Sequence, residues 1–198
     1  MRRPQGPFGL STTPASTFAP LLPLEPWMAG AALLSAAPPE LRDWLTEQGL
    51  LTDRIETACR AAAGLTLIEE RQGVMTAEQQ ALLQAPAVSC FVRRIELTAR
   101  GRPWVYAESL IPNHTLELHP WLALLGASSL GATLAACPDL SRGSFEFAPL
   151  PAAQPLAARA LARAGACAAV VWARRSWFAL ADRRLLVQEL FLPELGRC

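Results

Sequence analysis

Lysine is absent from this chain. All 18 of its cationic side chains, among 198 residues, are arginines. A Schiff base or a pyridoxal-phosphate anchor needs an amine, so both are excluded. A Walker A phosphate loop is excluded too. Gly126-Ala127-Ser128-Ser129-Leu130-Gly131 has the glycine spacing, but Ala132 and Thr133 follow where Lys and Ser/Thr are required. Codon composition in a GC-rich genome is the simplest cause of the missing lysine. Its chemical consequence holds regardless: every cation is a flat, permanently charged fork suited to carboxylates. Excess charge is also lacking. Eighteen cations against 17 anions leave a net +1, so no basic field draws the chain to nucleic acid. Histidine is scarce: His114 and His119 lie five apart with no His-Glu-x-x-His context, and no zinc site is expected. The five cysteines, at 59, 90, 137, 167 and 198, form no Cys-x-x-Cys clip and are odd in number. They read as free thiols of a reducing compartment, so a cytoplasmic location is expected. No long apolar run is present. Ala19 to Ala37 is broken by Pro20, Pro23, Glu25 and Pro26, which argues against both a membrane span and a signal peptide.

What is present suits one domain behind a tail. Residues 1–26 are rich in Pro, Ser, Thr and Gly without a period and read as a flexible tail; residues 27–198 read as the domain. Pro38-Pro39-Glu40 opens a helix with Leu41, Trp44 and Leu45 as its apolar stripe. Gly49 interrupts it, and Thr52 reads as the N-cap of a second helix bearing Ile55, Cys59 and Ala62. Six strands follow: Leu65–Glu70, Val88–Thr98, Pro103–Ile111, Ser144–Ala148, Val170–Leu180 and Leu185–Leu192. Arg100-Gly101 reads as the centre of a tight hairpin. Pro120–Leu125, Leu130–Ala136 and Pro151–Gly165 read as helices, the last Ala-rich and on the surface. The fold class expected is α+β, with a single antiparallel six-stranded sheet.

Strand parity isolates two charges. In Val88–Thr98 the odd positions are Ser89, Phe91, Arg93, Ile95 and Leu97, an apolar face that carries Arg93. In Leu185–Leu192, Glu189 is the lone charge in an apolar run. A lone buried charge is costly unless it is paired. Either Arg93 and Glu189 neutralise each other across the sheet, or they are the polar groups of a small-molecule cavity. Arg174 shares parity with Trp172 and Phe178 and is a further inward-pointing candidate. Counting outward from Arg100-Gly101 places Arg93 opposite Glu108, another candidate partner. Ser128-Ser129 has no His or Asp arrangement around it, which argues against a serine nucleophile.

The order of several short motifs resembles the chorismate pyruvate-lyase family. They are Asp43-Trp44-Leu45, Phe91-Val92-Arg93-Arg94-Ile95, and Gly101-Arg102-Pro103-Trp104 with Pro112 closing that strand. Leu125-Gly126 with Leu130-Gly131 comes next, then Trp172-Ala173-Arg174-Arg175-Ser176 and Glu189-Leu190-Phe191-Leu192-Pro193. The resemblance runs from about Leu41 to Pro193 and implies a single antiparallel sheet with helices covering one side. It implies conversion of chorismate to 4-hydroxybenzoate and pyruvate at the start of ubiquinone synthesis, with no cofactor or metal. Ligand contacts are implied at Arg93 and Glu189, and at the backbone of Leu130 and Leu51. Arg174 is a candidate for the enolpyruvyl carboxylate. The expected partners are chorismate and 4-hydroxybenzoate alone, bound by a monomer. Because the product keeps a carboxylate and a hydroxyl, it is expected to bind well. Two features depart from the family. Family members often carry a basic residue where Glu108 stands, so Glu108 is a competitor for Arg93. Pro149–Ala169 is a long excursion, either a surface insertion or a lid. The alternative function is a non-catalytic aromatic-acid sensor of the same fold. Such sensors follow a winged helix-turn-helix, which the Pro-rich residues 1–37 are not expected to form. A structural interaction module is a third reading, and it predicts no cavity.

Overall fold

A computed structural model describes residues 27–197. The stretch expected to be a flexible tail, residues 1–26, lies outside the described residues. Its centre is the hairpin of β3 (Ser89–Ala99) and β4 (Arg102–Pro112). Arg100 and Gly101 form the turn with φ of +48° and +74°. Both central residues are thus left-handed, which matches the twist of the flanking strands.

The register of this hairpin differs from a simple outward count. Leu97 pairs with Val105 and Thr98 with Pro103, so Trp104 is an extra residue in a β-bulge. Its indole is fully buried and meets Trp44 edge-on at 5.7 Å. The bulge moves every later pair by one residue. Arg93 therefore faces Ser109, and Glu108 faces Arg94 on the other side of the sheet. The expected Arg93–Glu108 pairing is corrected accordingly.

The remaining strands extend this hairpin on both sides. β2 (Ala63–Val74) pairs with β3, and β8 (Arg183–Phe191) pairs with β4. β7 (Val170–Leu180) follows β8, then β6 (Glu146–Pro151) and β1 (Met28–Ala29), while β5 (Leu140–Arg142) also pairs with β7. Every pairing is antiparallel. The sheet has eight strands where six were expected. The two additions, β1 and β5, are two and three residues long, too short for alternation to show.

Helices cover both faces, not one. α1 (Ala31–Ala36), α2 (Pro39–Leu45) and α3 (Leu51–Cys59) lead into the sheet. Leu45, Leu51 and Ile55 pack on Ile95, Leu97, Ala107 and Phe191. On the same face lie α5 (Asn113–Leu118), the 3₁₀ turn Pro120–Ala123 and α6 (Leu130–Ala135). Leu122, Leu130 and Leu134 cover Ile111, Leu180 and Leu185 there. On the other face, α4 (Ala77–Leu82) and Leu83 pack on Cys90, Val92, Leu110 and Leu186. α7 (Pro155–Ala164) buries Leu156, Ala157, Ala160 and Leu161 against Tyr106, Val171, Ala173 and Leu190. The Pro149–Ala169 excursion is therefore the cover of this second face.

Most charges on the second face are paired with one another, while Arg184 donates to the Leu82 carbonyl at 3.1 Å. Arg94 bridges Glu108 at 2.6 Å and Glu69, and Gln188 Nε2 donates to Glu108 at 3.1 Å. Arg175 Nε donates to Glu146 at 2.6 Å and the same guanidinium meets Glu78. The even side of β3 and β8 thus buries paired polar groups among apolar ones, and two-sided cover makes the pairing necessary. Among the described cysteines, Cys90, Cys137 and Cys167 are free. Cys59 is disulfide-bonded, which corrects the expectation of free thiols throughout. No helix of the described residues is long and apolar enough to cross a membrane.

Candidate active site

The first face opens into a cavity of about 270 Å³. Its floor is set by small residues. Ala107 and Ser109 point from β4 into the gap between Ile95 and Arg93 on β3 and Glu189 and Val187 on β8. Larger side chains there would fill the space. Its roof comes from two segments, Gln48–Thr52 entering α3 and Ser129–Gly131 entering α6. α3 begins at Leu51, with Leu50 as an N-cap that makes no side-chain cap bond; Thr52, expected as the cap, lies inside the helix. α6 is capped by Ser129, whose Oγ accepts from the Ala132 amide at 3.2 Å. Leu130 is the first residue of α6, so its amide has no intrahelical acceptor.

Arg93, Glu189, Arg174, Leu130 and Leu51 all line this cavity. Parity brought the first three to one face. Arg93 and Glu189 do not pair with each other, because β4 stands between their strands.

Arg93 is 1% exposed. Its Nη2 donates to the carbonyls of Gly126 at 2.8 Å and Ser128 at 2.7 Å. Gly126, at φ +51°, takes the left-handed turn that aims this loop at the guanidinium. The glycine spacing resembling a phosphate loop is in fact a clamp for an arginine. Glu70 on β2 lies 3.5 Å from Arg93 Nε, yet Nε makes no hydrogen bond. Nη1 has no hydrogen-bond partner among the described residues. Burial pushes the Arg93 pKa down, and Glu70 partly offsets this.

Glu189 is held from the other side. Arg174 Nε donates to its Oε2 at 2.6 Å, and Oε1 carries no protein donor among the described residues. Arg174 is itself 1% exposed. Its Nη1 donates to the carbonyls of Trp44, Leu45 and Glu47 at 3.2, 3.3 and 2.6 Å. Those groups end α2 or follow it, where carbonyls run short of helical donors; of the three, Trp44 still accepts from the Glu47 amide at 3.4 Å. Arg174 thus ties Glu189 to the α2 terminus, and two of its three nitrogens are already occupied.

Sequence reasoning missed Arg142. It ends β5, lines the cavity and stacks over Phe145 at 4.1 Å and Phe178 at 4.8 Å. A three-residue strand carries no readable period, so no local signal marked it.

A family profile described as chorismate lyase matches residues 26–196. The chain belongs to the chorismate lyase family. Among its relatives is a "Probable chorismate pyruvate-lyase" of Azoarcus sp. (strain BH72), 36% identical over 178 residues, covering 86% of this chain and 92% of that one. Another of the same name, from Pseudomonas aeruginosa (strain UCBPP-PA14), is 37% identical over 165 residues, covering 82% and 88%. Solved structures share the fold at low identity. The effector domain of PhnF from Mycobacterium smegmatis aligns with a TM-score of 0.56 and 17% identity, over 75% of this chain and 91% of that one. The C-terminal domain of a histidine utilization repressor from Pseudomonas syringae pv. tomato str. DC3000 aligns at 0.55 and 10%, over 69% and 95%. The fold of this chain is thus also seen in those two domains.

Proposed function

We propose that this chain converts chorismate to 4-hydroxybenzoate and pyruvate without a cofactor, as the entry step of ubiquinone synthesis. One observation carries the reading. A buried arginine fork and a carboxylate with a free oxygen face the same small apolar cavity from two strands, separated by Ala107 and Ser109. That spacing suits a single ring with a carboxylate at one end and a hydroxyl at the other.

Arg93 Nη1 donates to the ring carboxylate, and the Leu130 amide assists. Glu189 Oε1 accepts from the 4-hydroxyl and orients the ring. The ring hydrogen at the hydroxyl-bearing carbon is lost as the neighbouring ether bond breaks. The C–H electron pair completes the aromatic ring, and the C–O pair leaves with the enolpyruvyl group. A proton on its methylene carbon then gives pyruvate. Aromatisation drives the step, so the protein's task is to hold one conformer and stabilise charge on the departing oxygen. In a cyclic transfer that hydrogen goes directly to the methylene. In a stepwise route Glu189 takes it as general base. Turnover in deuterium oxide tests for the stepwise route: solvent deuterium in rapidly trapped pyruvate arises only from it.

The experiment for the function itself is incubation with chorismate. The expected result is 4-hydroxybenzoate absorbance and an equal amount of pyruvate. The second reading, an aromatic-acid sensor, is favoured by the fold shared with the PhnF effector domain and a repressor's C-terminal domain. It predicts a ligand-dependent rise in melting temperature with no product formed. The expected monomer is checked by size-exclusion chromatography, against a chain mass of 21.4 kDa.

A further inference from the structure

Three guanidiniums and one carboxylate line the cavity: Arg93, Arg142, Arg174 and Glu189. Arg174 is spent on Glu189 at 2.6 Å, and Arg93 has Glu70 behind it at 3.5 Å. Arg142 is different. Among the described residues no carboxylate oxygen lies within 4.0 Å of it. Its Nε donates to Ser176 Oγ at 3.0 Å and its Nη1 to the Gln48 carbonyl at 3.3 Å, both neutral acceptors. Its Nη2 makes no hydrogen bond among the described residues. Burial brings its pKa down to about 10, and Glu189 offsets only part of that cost. A half-buried cation without a counterion is unfavourable unless a ligand supplies the charge.

Position completes the case. Along the sheet, Arg93 lies on β3 and Arg142 on β5, with β4, β8 and β7 between them. Four strand spacings put the two backbones about 19 Å apart. The side chains reach inward from both ends, and Glu189 stands between them on β8. Phe145 and Phe178 fix the Arg142 plane, so its free Nη2 is preorganised.

We propose that Arg142 is the anchor for a second carboxylate, one that the substrate carries and the product lacks. This rests on the reading above and deepens it. The ligand's ring carboxylate sits on Arg93, and its enolpyruvyl carboxylate sits on Arg142. Arg174 positions Glu189 and does not meet the ligand's carboxylate. The product retains only the group on Arg93. Arg142 therefore distinguishes substrate from product, and it lies where charge gathers on the departing enolpyruvyl fragment.

The test compares wild type, R142Q and R142K with three compounds. These are chorismate, 4-hydroxybenzoate, and the stable aromatic diacid 3-(carboxymethoxy)-4-hydroxybenzoate. For R142Q the expected result is a fall of about 30-fold or more in kcat/KM for chorismate, and a similar loss of affinity for the diacid by calorimetry. The affinity for 4-hydroxybenzoate stays within about 3-fold of wild type. R142K, which keeps charge without a fork, falls between the two. Equal losses for the diacid and 4-hydroxybenzoate overturn the proposal, as does an unchanged diacid affinity. If R142Q fails to fold, R142K decides: the proposal requires it to lose diacid affinity and keep 4-hydroxybenzoate affinity. The diacid measurement needs no turnover. Should wild type leave chorismate unconverted, the lyase reading fails, while a diacid preference lost in R142Q still supports the anchor.

Discussion

Arg93 shows how one side chain's surroundings set its use. Two backbone carbonyls hold Nη2, while Nε and Nη1 make no hydrogen bond among the described residues. A buried guanidinium held this way is oriented before a ligand arrives, which lowers the ordering cost of binding. Charge-assisted bonds from Nη1 and the ion pair it completes are worth about 1.5–3 kcal/mol each, and removing the guanidinium also frees two buried carbonyls. Arg93→Ala is therefore expected to lower kcat/KM about 100-fold or more, and Arg93→Lys is expected not to restore it. Steady-state kinetics on folded variants check this, and near-normal kcat/KM in Arg93→Ala would remove Arg93 from the site. A second residue carries a pH signature. Burial lowers the His114 pKa below its usual 6.5, and nearby Arg183 adds to the effect. The unfolded chain then binds that proton more readily than the folded one. This contribution to stability is present above pH 6.5 and is lost as pH falls through the folded pKa. An NMR titration of His114 is expected to give a midpoint below 6.5. In His114→Asn, the part of the stability slope below pH 6.5 that this residue causes should disappear.

At the scale of elements, the hairpin bulge decides what the sheet's two faces do. Without Trp104 as an extra residue, Glu108 would have faced Arg93 and competed for it. With it, Glu108 joins Arg94 and Gln188 beneath α4 and α7. Breaking such a buried pair by removing one partner costs about 3–5 kcal/mol. Arg94→Ala is expected to lower the melting temperature by about 6–20 °C. It should leave the affinity for 4-hydroxybenzoate within about 3-fold, since Arg94 points away from the cavity. A large affinity loss in a folded Arg94→Ala protein would mean the two faces are coupled. The same elements show what was legible early. β3, β4, β7 and β8 were readable because each is long enough for alternation to register. β1 and β5 were not, and with β5 went Arg142. α4, which holds its first turn with a Thr76–Gln79 capping box, also went unread.

For the whole molecule, the cavity lies between a sheet and two roof segments that are far apart in sequence. A ligand there stabilises only the folded chain. At 100 times its dissociation constant it adds about 2.7 kcal/mol. 4-Hydroxybenzoate at that level is expected to raise the melting temperature by about 5–11 °C. Benzene carrying only the hydroxyl, phenol, should do far less because it leaves Arg93 unpaired. Equal shifts from both compounds would argue against carboxylate recognition.

The chain alone was enough to mark Arg93 and Glu189 as charges on an apolar face, because side-chain direction along a strand follows local geometry with a period of two. It was also enough to exclude amine chemistry, because lysine is absent. The identity of each charge's partner was decided only by the tertiary structure. Arg93 is held by carbonyls more than 30 residues away, and Arg174 by carbonyls about 130 residues away. Such contacts depend on register and on which segments close over the sheet. One bulged residue changes the register without altering the hydrophobic pattern that strand reading relies on.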